Sequence, residues 1–594
     1  MILSGIDWGI IIAFFIVSLV VGLWVSRKAG ENVSEFFLSG RNMSWWLLGV
    51  SMVATTFSTD TPNLVTGLVR TDGVAGNWGW WAFLLTGMMT VFVYAKLWRR
   101  SEVLTDVEFY ELRYSGKPAT FLRGFRALYL GLVFNVMVMG AVSLAAVKFG
   151  EIILGIPGWM TLLIAGSITL VYSTIGGLKA VIVTDFVQFL MAMIGSIAGA
   201  IYLVNIDEVG GVSAMLSHPN VVGKLNLFPD FSDPSTWIPV LLIPLAVQWW
   251  ASYYPGSEPG GGGYIAQRMF SAKNEKHAIG ATFFFNVAHY ALRPWPWIMI
   301  ALASLIIFPE VSDIQKAFPN LSADKLGHDV AYPAMLTLLP SGLLGLVAAS
   351  LIAAFMSTIS TQLNLGASYL VNDFYQRFIK PDASQKELVW AGRLFSVVTT
   401  ILGLGLGLLL TDANQAFGLL LLLGSGTGLI YILRWFWWRI NAYTEIVAMI
   451  SSLLIAGYFT FMHDQWGFLP LEGWEKLVIG ALLTTITWVV ATWFTPQTDD
   501  QTLRKFYRLI RPGGFGWDAV LQKAAAEGEV ITKEQGQIPL EILSMIIACI
   551  AVYAALFATG AWLYGQMLNA LLLTVVTAVC GFFLFWVRGK LKAD

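Results

Sequence analysis

Over most of this chain apolar residues follow one another without the period-2 or period-3.6 alternation of a half-exposed element. They form runs of about twenty, the length that carries an α-helix across a bilayer. Bounded by charge, Gly or Pro, the runs fall at 7–25, 44–68, 77–97, 126–147, 158–176, 183–204, 236–255, 278–308, 332–371, 389–410, 413–437, 440–461, 473–494, 541–564 and 568–587. The pattern predicts an all-α integral membrane protein with about 15 transmembrane helices. The first run opens at Ile6 without a basic leader or a small-residue cleavage site, and is expected to be a retained span. Polarity returns over 495–540, where Leu-Arg-Lys-Phe-Tyr-Arg-Leu-Ile-Arg-Pro at 503–512 has the pattern of an amphipathic helix lying on the cytoplasmic membrane surface.

Composition closes off other classes. With 57% hydrophobic and 12% charged residues in 594, a soluble enzyme or nucleic-acid binder is excluded, and a net charge of −1 offers no electrostatic pull on DNA. The two cysteines, Cys549 and Cys580, sit in late apolar runs and support neither a disulfide framework nor a metal site. No GxxxxGK[ST] motif occurs, so any driving energy comes from an ion gradient. Alternate loops collect Arg and Lys, among them Arg113, Arg123, Arg126 and Arg268, whereas the opposite loops hold only Arg70, Lys148, Lys224, Lys316 and Lys325. This bias predicts a multi-pass protein of the cell (plasma or inner) membrane with its N-terminus outside and its C-terminus cytoplasmic.

Two spans cannot be continuous helices. Residues 54–63, Ala-Thr-Thr-Phe-Ser-Thr-Asp-Thr-Pro-Asn, place Pro62 and an ionisable Asp60 at membrane depth; residues 253–264, Tyr-Tyr-Pro-Gly-Ser-Glu-Pro-Gly-Gly-Gly-Gly-Tyr, hold two prolines and five glycines. Unwound backbone inside a bilayer survives only where protein buries it or a cavity borders it. The breaks lie five spans apart, so their helices run in opposite directions, the arrangement of inverted repeats around a secondary transporter's binding site. The alternative reading is a simple proline kink and an ordinary loop.

A third feature is Ala-Ala-Phe-Met-Ser-Thr-Ile-Ser-Thr-Gln-Leu-Asn at 353–364. By helical spacing Ala354, Ser357 and Thr358 share one face, and Ser357, Ser360 and Thr361 an overlapping one. Hydroxyls together with carbonyls freed by an unwound helix suit a small hard cation, and Asp185 could add one carboxylate. Against this, Ser and Thr in membrane helices often bond their own i−4 carbonyls or help helices pack.

These residues resemble the sodium:solute symporter family, which includes sugar, proline, pantothenate and sialic acid carriers. The likeness runs over about residues 5–460, through Ser-Gly-Arg-Asn-Met-Ser-Trp-Trp (39–46), Tyr-Ser-Thr-Ile-Gly-Gly-Leu-Lys-Ala-Val-Ile-Val-Thr-Asp-Phe-Val-Gln (172–188), Tyr-Ile-Ala-Gln-Arg (264–268) and the Ser-rich block followed by Asn-Asp-Phe-Tyr (372–375). The resemblance implies a LeuT-type fold of five plus five inverted-repeat helices with additional peripheral spans. The transport core would be 44–437, with repeats 44–204 and 236–437. Around it would lie 1–43, two spans in 438–494, the 495–540 linker, and two spans and a tail in 541–594. It also implies a first sodium held by the carbonyls of Ala54, Phe57 and Ala354 and the hydroxyls of Ser357 and Thr358. A second sodium would sit at Asp185, Ser357, Ser360 and Thr361.

The solute is less legible, because Ser58-Thr59-Asp60-Thr61 stands where the family's sugar carriers show Ser-Ala-Glu-Gln, and the seventh span is longer by a few residues. Asp60, Thr61, Asn63, Trp250, Tyr253, Glu258 and Arg293 are the expected solute contacts. Arg293 is read either as a counter-charge or as a structural arginine, and His289 as packed. The expected function is a sodium-coupled secondary symporter importing a small polar organic solute by alternating access, with a sugar or polyol favoured. Alternatives are a carboxylate or amino-acid symporter and a non-transporting sensor. The expected partners are the solute, one or two Na+ and the lipid bilayer, with no nucleic acid and no obligatory protein partner. Five scattered histidines, with no constellation of metal ligands, argue against an enzyme.

Overall fold

The computed structural model describes residues 3–25, 30–319, 321, 325–410, 421, 426–463, 465–533 and 537–590. Among them eleven helical segments are long and apolar enough to cross a membrane. These take in every span read from the sequence except 44–68, 236–255 and 413–437, with Gly158–Val204 serving both 158–176 and 183–204. Of the 413–437 span, residues 413–420 and 422–425 lie outside the described residues, as do Arg27, Lys28 and Lys592. The elements that build the site are α1 (Gly5–Val25), α2 (Trp45–Thr55), α3 (Asp60–Asp72), α4 (Gly116–Leu128), α5 (Gly158–Val204), α6 (Gly263–Ser271), α7 (Pro294–Ile307), α8 (Leu343–Ser368), α9 (Ala442–Phe461) and α10 (Asp500–Ile510).

The span at 44–68 is two helices. α2 stops at Thr55, where the Thr56 hydroxyl turns back to the Met52 carbonyl (2.7 Å), and α3 starts at Asp60 with Pro62 in its first turn. Proline is tolerated there because that N–H has no intrahelical acceptor in any case. The span at 236–255 likewise ends at Ala251, and helix resumes only at α6. Between them Gly260 holds φ +75°, and a Cβ at that position would lie 2.8 Å from the Tyr431 carbonyl oxygen, so a bare backbone is required for the approach.

α5 has 47 residues, about 70 Å if straight and more than twice the hydrocarbon thickness of a bilayer. It is interrupted at Gly177 (φ 56°, ψ −163°), where a Cβ would lie 2.6 Å from the Phe36 carbonyl oxygen. The second half of α5 packs against α8, and Gly195 admits Ser350 within 3.0 Å of where its Cβ would be, the small-residue approach that lets membrane helices pack closely. α8 is almost wholly enclosed by its neighbours. Its N-terminus is held by α1, whose Asp7 carboxylate accepts from the backbone N–H groups of Gly342 and Gly345 at 2.7 Å each.

Two expectations are corrected by packing. α10, the core of the basic 503–512 stretch, turns Leu503, Phe506, Tyr507 and Ile510 into the protein and not toward lipid; Phe506 meets the rings of Phe109, Trp435 and Trp517. Its amphipathic pattern therefore matches a protein surface, a case that pattern alone does not distinguish from a membrane interface. Arg268, counted among loop cations, is on α6 and fully buried. Lys148 is buried as well and pairs with Asp329 at 2.9 Å.

Candidate functional site

The broken strand of backbone between α2 and α3 lies against the middle of α8. There the Thr358 hydroxyl oxygen is 3.0 Å from the Thr55 carbonyl and 3.3 Å from each of the carbonyls of Phe57 and Ala354. A hydroxyl has one proton to donate. At least two of the three carbonyls thus face it lone pair to lone pair, leaving a patch of negative potential that a cation would relieve. Ala54, Phe57, Ala354, Ser357 and Thr358 are all buried around this point. Thr55, not singled out from the sequence, contributes a carbonyl through the same unwinding.

One turn further along α8 a second polar group has formed around Asp185 of α5. Its carboxylate accepts from Ser357 Oγ at 2.6 Å and from Ser51 Oγ at 2.5 Å. Arg268 from α6 enters the same space. Its Nη2 is 3.7 Å from Asp185 Oδ2 and donates to Thr361 Oγ1 at 2.6 Å, and its Nε donates to Ser51 Oγ at 3.2 Å. Gln267 holds the far side of the guanidinium (3.0 Å) and is itself anchored on Asn364 (2.8 Å). Of the oxygens expected to bind a second cation, Asp185, Ser357 and Thr361 are together, while the Ser360 hydroxyl bonds back to the Ser357 carbonyl of its own helix (3.0 Å). A permanent cation, Arg268, stands among them. The signal was present in Tyr-Ile-Ala-Gln-Arg, but an arginine near the end of an apolar run reads as a loop charge until its helix is placed.

Beside Thr358, between the two breaks, is a cavity of about 120 Å³. Its polar wall includes Thr55, Ser58, Asp60, Thr61, Ser257 and Gln362; its aromatic wall is Trp80, Tyr254, Tyr264 and Tyr290. Trp80 and Tyr290 stack at 5.8 Å, and Tyr254 stacks on Phe83 at 5.4 Å, so the ring faces are fixed before anything binds. Arg293 also reaches this cavity. It donates to the carbonyls of Val53 (3.2 Å) and Thr56 (3.1 Å), bonds to the His289 ring, and lies over the rings of Phe57 and Trp297. Arg293 thereby satisfies carbonyls released where α2 unwinds, a positioning task that the sequence reading divided between charge pairing and structure.

The expected solute contacts separate into two groups. Asp60, Thr61 and Arg293 border the cavity, but Asn63, Trp250, Tyr253 and Glu258 do not. Trp250 bonds a carbonyl of its own helix, at Ala246 (2.7 Å). Tyr253 faces the opposite way, against Phe134 and Tyr431. Glu258 is buried behind Gly262 and Gly263. The aromatic residues that do line the cavity are Trp80, Tyr254, Tyr264 and Tyr290. Direction after an irregular segment depends on its dihedral angles, which adjacent positions such as Tyr253 and Tyr254 do not reveal in sequence.

Comparison with known proteins gives a consistent result. The model of the sodium:solute symporter family matches residues 36–452, a range that contains both breaks and the hydroxyl block of α8. The sodium/glucose cotransporter of Vibrio parahaemolyticus is 27% identical over 84% of this chain and 92% of its own length. The human sodium/myo-inositol cotransporter 2 is 27% identical over 76% of this chain and 69% of its own. Among solved structures, a Na+-coupled sialic acid symporter in a substrate-bound outward-open state superposes with a TM-score of 0.65 at 19% identity, over 84% of this chain and 99% of that one, a likeness of fold. With so much of its length inside the family model, the chain belongs to the sodium:solute symporter family, and is a sodium-coupled solute symporter of the membrane and not an enzyme.

Proposed function

We propose that the chain imports a small, polyhydroxylated, uncharged solute, a sugar or polyol, together with one sodium ion by alternating access. The observation that carries this reading is the shared wall of the two sites: Thr358 meets the carbonyls of Thr55, Phe57 and Ala354 and also borders the cavity. Sodium bound to these oxygens would tie α8 to the unwound segment and so complete the cavity, which gives solute and ion a mutual stabilisation of the kind coupling requires. An inward gradient and membrane potential then supply the work, about 2.3 kcal/mol per charge per 100 mV.

The cavity's alternation of hydroxyl, carboxylate and fixed aromatic faces supports a sugar or polyol, since hydroxyls can bond the polar wall while a ring lies on the aromatic one. The named solutes of the relatives, glucose and myo-inositol, are of this class. Arg293 spends its terminal N–H groups on backbone and His289, which weighs against a carboxylate solute; its Nε, which has no partner, is what favours that second reading. One sodium is preferred over two because Arg268 already balances Asp185. In the same reading residues 44–204 and 236–437 form two inverted five-helix repeats, the spans number fifteen, and the N-terminus lies outside.

The test is uptake into proteoliposomes of labelled sugars, polyols, amino acids and carboxylates, with a sodium gradient and with choline in its place. Thr358→Ala and Ser357→Ala are assayed beside the wild type. We expect sodium-dependent accumulation of a sugar or polyol, with the sodium half-saturation of Thr358→Ala raised roughly tenfold or more. Uptake indifferent to sodium, or binding without uptake across the panel, would refute the coupling site.

A further inference from the structure

A second crevice, of about 150 Å³, opens on the outer surface of the helix bundle between α4 and α9. Its mouth is formed by Phe121, Phe125, Ile450 and Leu453, all more than a third exposed on the face that a bilayer would cover. At its inner end is Arg126, 5% exposed. The guanidinium lies over the rings of Tyr253 (5.3 Å) and Tyr431 (5.4 Å), and among the described residues its one polar contact is from Nη1 to the Met449 sulfur at 3.8 Å, with Nε left without a hydrogen-bond partner. A buried guanidinium of this kind ordinarily has an anion. Arg123, three residues earlier on α4, has two: Asp373 at 2.7 Å and Glu111 at 2.8 Å.

No such anion is left for Arg126 among the described residues. Glu445 accepts at Oε1 from Arg434 (3.4 Å) and the Tyr114 hydroxyl (2.5 Å), and its Oε2, though without a hydrogen-bond partner, forms no ion pair with Arg126 among the described residues. Arg113, also fully buried, bonds only backbone carbonyls, so three arginines stand around one carboxylate. Arg126 lies in the first third of the Gly116–Leu154 apolar segment, near its polar end: the Tyr110 ring lies 6.0 Å from it, and Arg113, on the same short helix as Tyr110, reaches Phe506 of α10 and neighbouring Trp517. The crevice thus offers a desolvated cation near that polar end and an aromatic and aliphatic channel leading from it into the hydrocarbon.

We propose that this crevice binds one anionic membrane lipid, its phosphate paired with Arg126 and an acyl chain lying along Phe121, Phe125, Ile450 and Leu453. Charge complementarity selects an anionic headgroup, because a zwitterionic one brings its own cation into a space already rich in arginine. The lipid would supply the counter-charge that the described residues do not provide. Through Tyr253 it would also brace the backbone break at 253–262 from the side opposite the solute cavity.

The test is native mass spectrometry of the purified full chain, titrated with phosphatidylglycerol and, separately, phosphatidylcholine of identical acyl chains. We expect one phosphatidylglycerol retained in preference to phosphatidylcholine. Retention should weaken on the order of ten- to hundredfold in Arg126→Gln and persist in Arg126→Lys. Ile450→Trp, which fills the channel and leaves Arg126 in place, should lose the lipid while sodium-dependent uptake is still measurable, and it decides the matter should Arg126→Gln not fold. Equal retention of the two lipids, retention unchanged in both Arg126→Gln and Ile450→Trp, or competition by inorganic phosphate as effective as by the lipid would overturn the proposal.

Discussion

The charge of Arg268 is what separates a one-sodium from a two-sodium reading, and a double-mutant cycle on Arg268 and Asp185 measures it. The two groups are fully buried, with Nη2 and Oδ2 3.7 Å apart. At an effective dielectric constant near 20 the attraction at that distance is about 4 kcal/mol. Removing one partner alone strands a buried charge, at a cost of roughly 3–5 kcal/mol. Arg268→Gln and Asp185→Asn should therefore each destabilise strongly. The double variant, which buries no charge, should be less destabilised than the sum by about 4 kcal/mol. A further consequence distinguishes pairing from packing. In Arg268→Gln the Asp185 carboxylate and the hydroxyls of Ser51, Ser357 and Thr361 are left as an oxygen site without a cation, so its stability should become sodium-dependent. A hundredfold excess of sodium over the dissociation constant of that site would restore about 2.7 kcal/mol. Thermal unfolding of the four proteins in detergent, in sodium chloride and in choline chloride, reads both effects. Additive losses, together with an Arg268→Gln curve that sodium shifts no more than it shifts the wild type, would show that Arg268 serves packing and does not stand in for an ion.

Three further outcomes follow from the geometry. Gly177→Ala puts a Cβ 2.6 Å from the Phe36 carbonyl oxygen at a positive φ, and should lower stability by roughly 1–3 kcal/mol in thermal unfolding, with poorer sodium activation because Asp185 lies eight residues beyond the kink. Arg293→Gln frees the carbonyls of Val53 and Thr56 and should raise the half-saturation for sodium and solute together; Arg293→Lys should not restore it, since one ammonium does not reproduce the guanidinium fork. At Glu111, outside the spans, burial raises the carboxyl but hydrogen bonds from Arg377, Arg123 and Thr120 outweigh it and bring it down to about 2. Its folded value is below its unfolded one, so its stabilisation is complete above pH about 4.5 and is lost as pH falls toward 2. Arg377→Gln should reduce that acid-side dependence in unfolding scans between pH 5 and 3, and an unchanged profile would refute the assignment.

The primary sequence determined the solvent and the scaffold. Runs of about twenty apolar residues have one physical solution in a bilayer, and Pro62 with the glycines after Pro255 told where helices must stop, because those constraints act within a few residues of chain. The hydroxyl block of α8 was legible for the same reason, since Ala354, Ser357 and Thr358 share a face by helical spacing, whereas the meeting of Thr358 with the carbonyls of Thr55 and Phe57 comes from packing. What the tertiary structure decided was every question of direction and neighbour. Tyr253 and Tyr254 are identical in composition and adjacent in chain, yet the irregular backbone after Ala251 sends one to the crevice beside Arg126 and the other to the cavity beside Thr358. Arg268, Arg126 and α10 all carry charge that local pattern assigns to a water or membrane surface; only the packing of distant helices shows that Arg268 faces Asp185, that Arg126 has aromatic rings in place of a carboxylate, and that α10 covers Trp435. A side chain's sequence states which charge or face must be satisfied, and long-range packing chooses the group that satisfies it.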